Sequence, residues 1–255
     1  NGLLVGSSTT RWDGPHNLYF VTQEGDLNPI SFDWSSGANP TGFQATYSNP
    51  RMAQHGNDLC VTWMQGYDSQ GVTLFESRSM DGGQTWSSPA IITHSAYRQE
   101  LGDDQPPFSI YQGVQPCYSR EGELSFLTLA YTYRQSGTGW TYEDNRFELY
   151  DSSGQLVSSH ALGEPAYMWD DNWSWGYDEN QQPVYLVQRN DYQYVYGALG
   201  DAQTVVLGQS AYMAFDADGR VYFAINDGGA YYAYFGVAGP EGTPLRLAVD
   251  RKSVV

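Results

Sequence analysis

Eight residues, Ser79-Met80-Asp81-Gly82-Gly83-Gln84-Thr85-Trp86, constrain this chain more than any other stretch. Their pattern is S-x-D-x-G-x-T-W. Both flanks read as strands, Gly71 to Arg78 before and Ser88 to Thr93 after. Such a string specifies a tight hairpin turn. Ser79 and Asp81 carry oxygens that cap turn amides, Gly83 takes a positive φ without steric cost, and Trp86 folds back over the hairpin as a plug. A chain with this turn between two β-rich segments is committed to antiparallel sheet there.

The composition extends that commitment to the whole chain. Tyr 21, Trp 8, Phe 10 and Gly 28 in 255 residues suit short strands and tight turns, and long helices want Ala, Leu, Glu and Lys instead. A chain of this length buries roughly three-quarters of its unfolded surface, enough for one large domain. No run of 18 apolar residues is present, so no membrane-spanning helix is expected. Twelve Lys+Arg against 29 Asp+Glu give a net charge of −17, with Lys252 the sole lysine. That surface repels polyanions, so nucleic acid is excluded as a partner, and an anionic glycan would need arginines gathered in one pocket. Cys60 and Cys117, the only cysteines, have no zinc spacing and form either one disulfide or two buried thiols. No metal or other cofactor is expected. Asp216-Ala217-Asp218-Gly219 opens like a calcium loop but lacks the distal ligands, and reads better as a hairpin turn.

One pattern recurs along the chain: a strand, a polar Gly/Asn/Asp turn, then a β-branched or aromatic strand. Copies turn at His55–Asp58, Arg120–Glu123, Asp178–Pro183 and Asp216–Arg220, with a looser one at Trp12–Asn17. The first strand residues after these turns are Leu18, Leu59, Leu124, Val184 and Val221, separated by 41, 65, 60 and 37 residues. The mean, about 51, is the length of one four-stranded propeller blade with its loops. Leu3-Leu4-Val5 supplies either the first strand of the first blade or a strand that closes the last one. A β-sandwich with similar hairpins is the competing arrangement.

The string at 79–86 resembles the Asp-box of the sialidase-like, BNR-repeat β-propellers. The expected fold is therefore all-β: residues 1–255 form a single β-propeller of five four-stranded antiparallel blades. Sialidases have six, and a sixth has room in the intervals Pro89–Phe108 or Glu143–Trp169. The resemblance implies that Ser79, Asp81, Gly83, Thr85 and Trp86 are structural and lie away from the chemistry. It also implies a carbohydrate-directed protein, with a glycan or polysaccharide as partner.

In a propeller, ligands bind where the loops entering each first strand meet those joining the second and third strands. Those positions contribute Arg51, Arg134 and Arg189, whose planar forks suit a substrate carboxylate, or which simply pair with nearby acids. The resemblance implies such an arginine clamp. This chain lacks the family's Arg-Ile-Pro string, and Asn49-Pro50-Arg51 is the nearest analogue. The family's Tyr/Glu nucleophile pair cannot be picked out among 21 tyrosines. Carboxylates at these edges, Asp170 and Asp171 or Glu143 and Asp144, are candidates for general acid/base work on a glycosidic bond. Trp140 and Trp173 stand beside them as platforms for a sugar ring, although Trp173 and Trp175 also alternate as core residues would.

The sequence thus points to a secreted, periplasmic or cell-surface glycan-cleaving propeller, a glycoside hydrolase before a lyase. A non-catalytic glycan-binding propeller is the rival. The elongated, dissimilar stretch Tyr133–Asn145 favours a single specialised site.

Overall fold

The computed structural model describes residues 2–7, 17–22, 25, 27–30, 48–67, 71–95, 108–136, 139–162, 173–190, 193–200, 204–207, 210–215, 219, 221–227 and 230–235. Among them are eighteen strands in five antiparallel sheets, and no helix. The first sheet holds β1 (Gly2–Ser7), β2 (Asn17–Thr22) and β3 (Leu27–Ile30). The second holds β4 (Ser48–His55), β5 (Asp58–Tyr67), β6 (Gly71–Ser79) and β7 (Ala90–His94). The third is β8 (Phe108–Tyr118), β9 (Leu124–Ser136), β10 (Gly139–Asp151) and β11 (Leu156–Ala161). The fourth comprises β12 (Trp173–Tyr177), β13 (Pro183–Asn190), β14 (Gln193–Ala198) and β15 (Thr204–Leu207). In the fifth, β16 (Ser210–Phe215), β17 (Val221–Asp227) and β18 (Ala230–Phe235) pair in chain order.

Every sheet is a meander of neighbours in sequence, and the connections among the described residues include hairpin turns of the recurrent kind. Three of these turns share one geometry. Ser119, Asp151 or Asp178 opens the turn and its side-chain oxygen accepts the amide four residues on, from Glu123, Gln155 and Gln182. The fourth residue takes a positive φ: Gly122 at 84°, Gly154 at 79°, and Gln181 at 59°. Leu3, Leu4 and Val5 pair with Val21, Phe20 and Tyr19, so the opening segment belongs to the first sheet. The interval after Glu143 holds no further sheet as far as Ala161, since β10 and β11 complete the third.

The Ser79–Trp86 turn lies between β6 and β7, and its side chains do what their types allow. Ser79 Oγ accepts the Gly83 amide at 2.8 Å and donates to Asp81 Oδ1 at 2.7 Å. Asp81 Oδ1 accepts the amides of Gln84 and Thr85 at 3.0 and 2.9 Å, and Oδ2 accepts the Thr85 hydroxyl at 2.6 Å. Trp86 Nε1 returns to Gly83 O at 3.2 Å, and its indole meets Phe20 edge-on at 6.0 Å. The Gly82 amide donates to Asn57 O, tying this turn to the β4–β5 turn.

The chain clusters into two compact units, one of residues 1–117 with 124–161, the other of 118–123 with 162–255. Sheets of the first unit pack in succession. Phe20 and Ile30 of the first sheet enclose Leu59, Val61, Trp63 and Phe75 of the second. The second meets the third through Arg78, whose guanidinium donates to Ser152 O and lies 5.9 Å over the Phe126 ring. In the second unit, Val184, Leu186, Tyr194 and Tyr196 pack against Val221. There Gly176 is required by closeness: a Cβ would sit 2.3 Å from Phe215 Cε2. Cys60 and Cys117 are both free thiols. Cys60 Sγ donates to Glu76 Oε2 at 3.6 Å, and burial first, then Glu76, pushes that thiol well up, which keeps it protonated and unreactive.

Candidate functional site

In an antiparallel meander, the start of the first strand and the turn from second to third strand fall on the same edge of the sheet. On those edges the ladders break. In the second sheet, Ser48 faces Met64 but Arg51 faces Thr62, so β4 carries one extra residue beside Arg51. In the third, Tyr142 faces Tyr133 and Asp144 faces Thr132, which leaves Glu143 as the extra residue. In the fourth, Gln188 faces Tyr194 and Asn190 faces Gln193, which leaves Arg189. A β-bulge bends its strand and re-aims a side chain, and bulges gather beside active sites. Two further bulges lie on the outermost strands β7 and β11, at Ile92 and Val157, where they blunt a sheet edge.

The sequence reading placed Arg51, Arg134, Arg189, Glu143 and Asp144 in loops, and the structure corrects this: all five stand on strands. β9 and β10 are 13 residues each and pair up to Ser136 and Gly139, so the stretch Tyr133–Asn145 is a two-stranded ribbon rather than an elongated loop. The alternating Tyr131-Thr132-Tyr133 and Trp140-Thr141-Tyr142 explain the pairing, since β-branched and aromatic residues favour an extended ribbon. The ribbon brings Arg134, opposite Thr141, and Trp140, opposite Gln135, into one hairpin with Glu143 and Asp144. Arg51 lies on β4 of another sheet, and Arg189 and Trp173 belong to the second unit. Of Arg134, Trp140, Glu143 and Arg189 the backbone alone is described, and Asp170 and Asp171 lie outside the described residues. Trp173 is 5% exposed, opposite Val187 on β12, so it fills the core and offers no open face to a sugar.

One face of β10 is a polar row. Asp144, Arg146, Glu148 and Tyr150 alternate with Asn145, Phe147 and Leu149, and strand geometry puts the first four on one side. At its inner end Glu148 is shared by two phenols. Tyr150 donates to Glu148 Oε2 at 2.7 Å; Tyr111 OH lies 3.1 Å from the same oxygen and 2.9 Å from Tyr150 OH. Thr93 of β7 reaches Tyr111 OH at 3.4 Å. Burial, then Glu148, raises the Tyr111 phenol; burial, then the bonds to Tyr111 and Glu148, raises Tyr150 still further. Both phenols therefore stay protonated and donate. All three residues are below 8% exposed, so the cluster joins β7, β8 and β10 and is closed to a substrate. No local pattern marks it in the sequence, since Tyr111 stands 37 and 39 residues from its partners.

At the outer end the row is open. Asp144 Oδ2 lies 3.7 Å from Arg146 Nη2, and the two side chains are 20% and 34% exposed. Thr132 Oγ1 and Arg146 Nε are buried, and neither makes a hydrogen bond among the described residues.

No protein-family model matches the chain. No curated protein is similar to it in sequence. Among solved structures it is similar to a xylan β-1,4-xylosidase from Bacillus halodurans C-125, with 9% identity and a TM-score of 0.47 over 92% of this chain and 47% of that one. It is also similar to an ulvan lyase of a new polysaccharide lyase family, with 9% identity and a TM-score of 0.49 over 86% and 57%. A third is the Trypanosoma rangeli sialidase in complex with sialic acid, with 11% identity and a TM-score of 0.44 over 92% and 40%. The chain spans about half the length of these structures.

Proposed function

We propose that this chain is a secreted, carbohydrate-directed β-propeller of the sialidase-like group that cleaves glycans, a glycoside hydrolase before a polysaccharide lyase. The observation that carries the reading is the placement of bulges: Glu143 and Arg189 are the extra residues of their ladders, and Arg51 borders a third. Three sheets thus present a chemically able side-chain position at the corresponding edge. The hydrogen-bonded Ser79–Trp86 turn, on the opposite edge of its sheet, supports the architecture.

In this reading the five sheets are blades around one axis, and the bulged edges meet at one mouth. Arg51, Arg134 and Arg189 orient the substrate through planar donor forks. A carboxylate from Glu143/Asp144 or Asp170/Asp171 protonates the leaving oxygen, and Trp140 supplies the stacking face. Glu143 is the stronger donor candidate, because a bulge takes it out of the ladder.

The test is a polysaccharide panel assayed in parallel for reducing ends, for the absorbance of unsaturated products, and for binding. Glu143→Gln, Asp170→Asn and Asp171→Asn are run beside the parent chain. The reading expects new reducing ends, and a loss of about 10²–10⁴-fold in at least one variant. Unsaturated product would select a lyase. Saturable binding without any product would select the non-catalytic glycan-binding propeller, and full activity in every variant would remove these carboxylates from the mechanism.

A further inference from the structure

The open end of the β10 row is chemically incomplete. Thr132 stands directly opposite Asp144, and Arg146 two residues on shares their face, within diagonal reach of Thr132 across the ladder. Thr132 is 5% exposed, yet its hydroxyl is unbonded among the described residues, as is Arg146 Nε. A buried hydroxyl and a buried guanidinium N–H left without partners each lose the hydration they had in the unfolded chain with no bond in return. Such groups in a native fold call for a partner, and the described residues do not supply one. Further along the same face the row is satisfied, because Glu148 takes the two phenols. On this face the unmet bonds lie at Thr132 and Arg146, beside Asp144, whose side chain is 20% exposed, and next to the Glu143 bulge.

What fits is decided by charge. Asp144 repels a ligand carboxylate or sulfate, and Arg146 repels an ammonium. Two adjacent hydroxyls suit both residues: each donates to the carboxylate and accepts from the guanidinium or from Thr132. The fork is not hydrogen-bonded to Asp144 at 3.7 Å, so turning it toward an entering diol breaks no short bond between the two.

We propose that Thr132, Asp144 and Arg146 form a subsite for the vicinal hydroxyls of a neutral sugar ring, with Asp144 as acceptor and Arg146 and Thr132 as donors. The proposal rests on the carbohydrate-directed reading above and deepens it. It gives Asp144 to substrate positioning, leaves proton donation to Glu143 or Asp170/Asp171, and names an uncharged pyranoside as the unit bound beside the bulge.

The test is calorimetry on the full chain with methyl β-xyloside, methyl β-galactoside, a deoxy analogue lacking one of two adjacent hydroxyls, and methyl β-glucuronide. A neutral glycoside should bind saturably, with the glucuronide and the deoxy analogue weaker. Arg146→Met should weaken binding by about tenfold or more, and Thr132→Val, which keeps the side-chain shape, by a smaller factor. Arg146→Lys should restore affinity only in part, since an ammonium keeps the charge but lacks the planar fork. Preference for the glucuronide, affinity untouched by both Arg146→Met and Thr132→Val, or no saturable neutral sugar would overturn the subsite; the last two are the results expected if only a bridging water completes the row. Polysaccharide turnover measured alongside separates the two ideas. Turnover that Glu143→Gln abolishes but Arg146→Met spares sinks the subsite and keeps the enzyme. Diol binding lost in Arg146→Met with no product from any polysaccharide does the reverse.

Discussion

Replacing Gly83 by Ala is the sharpest perturbation the fold offers, because the same turn supplies its own control. At Gly83 φ is 91°, and an added Cβ would lie 2.3 Å from Phe20 Cδ1 and 2.4 Å from Cε1. Phe20 cannot step aside freely: it is 1% exposed and meets the Trp86 indole edge-on at 6.0 Å. At the neighbouring Gly82 φ is 74°, but nothing stands within 4 Å of the added carbon. Gly82→Ala should therefore cost only the backbone term, about 1–2 kcal/mol. Gly83→Ala should cost that plus overpacking, about 1–3 kcal/mol more. Thermal unfolding followed by tryptophan fluorescence measures both variants. At about 2–4 °C per kcal/mol for a chain of this size, the gap between their melting temperatures is several degrees. Phe20→Leu should recover part of the extra loss in Gly83→Ala and none in Gly82→Ala. Equal costs at the two positions, or no coupling to Phe20, would refute the claim that this turn is pinned to the first sheet.

Three further outcomes follow from the bonding already described. The Asp81 carboxyl, held first by the Thr85 hydroxyl and then by the Thr85 amide, is lowered to about 2 from 3.8, so its stabilising effect is complete above about pH 4 and lost as the pH falls through about 2; a carbon-detected NMR titration with an ordinary midpoint would contradict this. Glu148→Leu leaves two buried phenols without their acceptor and should cost about 2 kcal/mol or more, with much of it recovered when Tyr111→Phe and Tyr150→Phe are added; simple additivity in denaturant unfolding would contradict the shared cluster. The Tyr196 phenol, raised to about 12 by burial and then by Asp178, contributes stability below its unfolded value near 10 that decays as the pH climbs from about 10 to 12; an absorbance titration showing every tyrosine at its ordinary value would count against it.

How far the sequence carries depends on how local the information is. The Ser79–Trp86 turn was legible because each specified residue bonds within four positions of itself. The strand anchors Leu59, Leu124, Val184 and Val221 were legible for the same reason, each following a turn whose first residue caps its own amides or whose glycine takes a positive φ. Strand ends were not. Arg51 and Arg189 looked like loop residues, since a bulge has no composition of its own and the pairing that defines it comes from another strand; Arg134 pairs regularly with Thr141, in a ribbon longer than the repeat suggests. Trp173 and Trp175 carried a core pattern and a sugar-platform pattern in the same letters, and only burial decided for the core. The Tyr111–Glu148–Tyr150 cluster was invisible for a different reason. Polar residues alternating with Phe147 and Leu149 suggest a solvated face, whereas around Glu148 that face is covered by the neighbouring sheet and satisfied there.

The proposed propeller requires its sheets to close a ring, so that the bulged edges share one mouth. Pulsed electron resonance between spin labels at Ser7→Cys on β1 and Ala214→Cys on β16 tests it most directly, in a Cys117→Ser background that leaves only the buried Cys60. With sheets packing about 10 Å apart, a ring places the first and last sheets side by side, and a distance below about 25 Å is predicted. A distribution centred near or beyond about 40 Å, the span of five sheets stacked in a line, would contradict closure and with it the shared site.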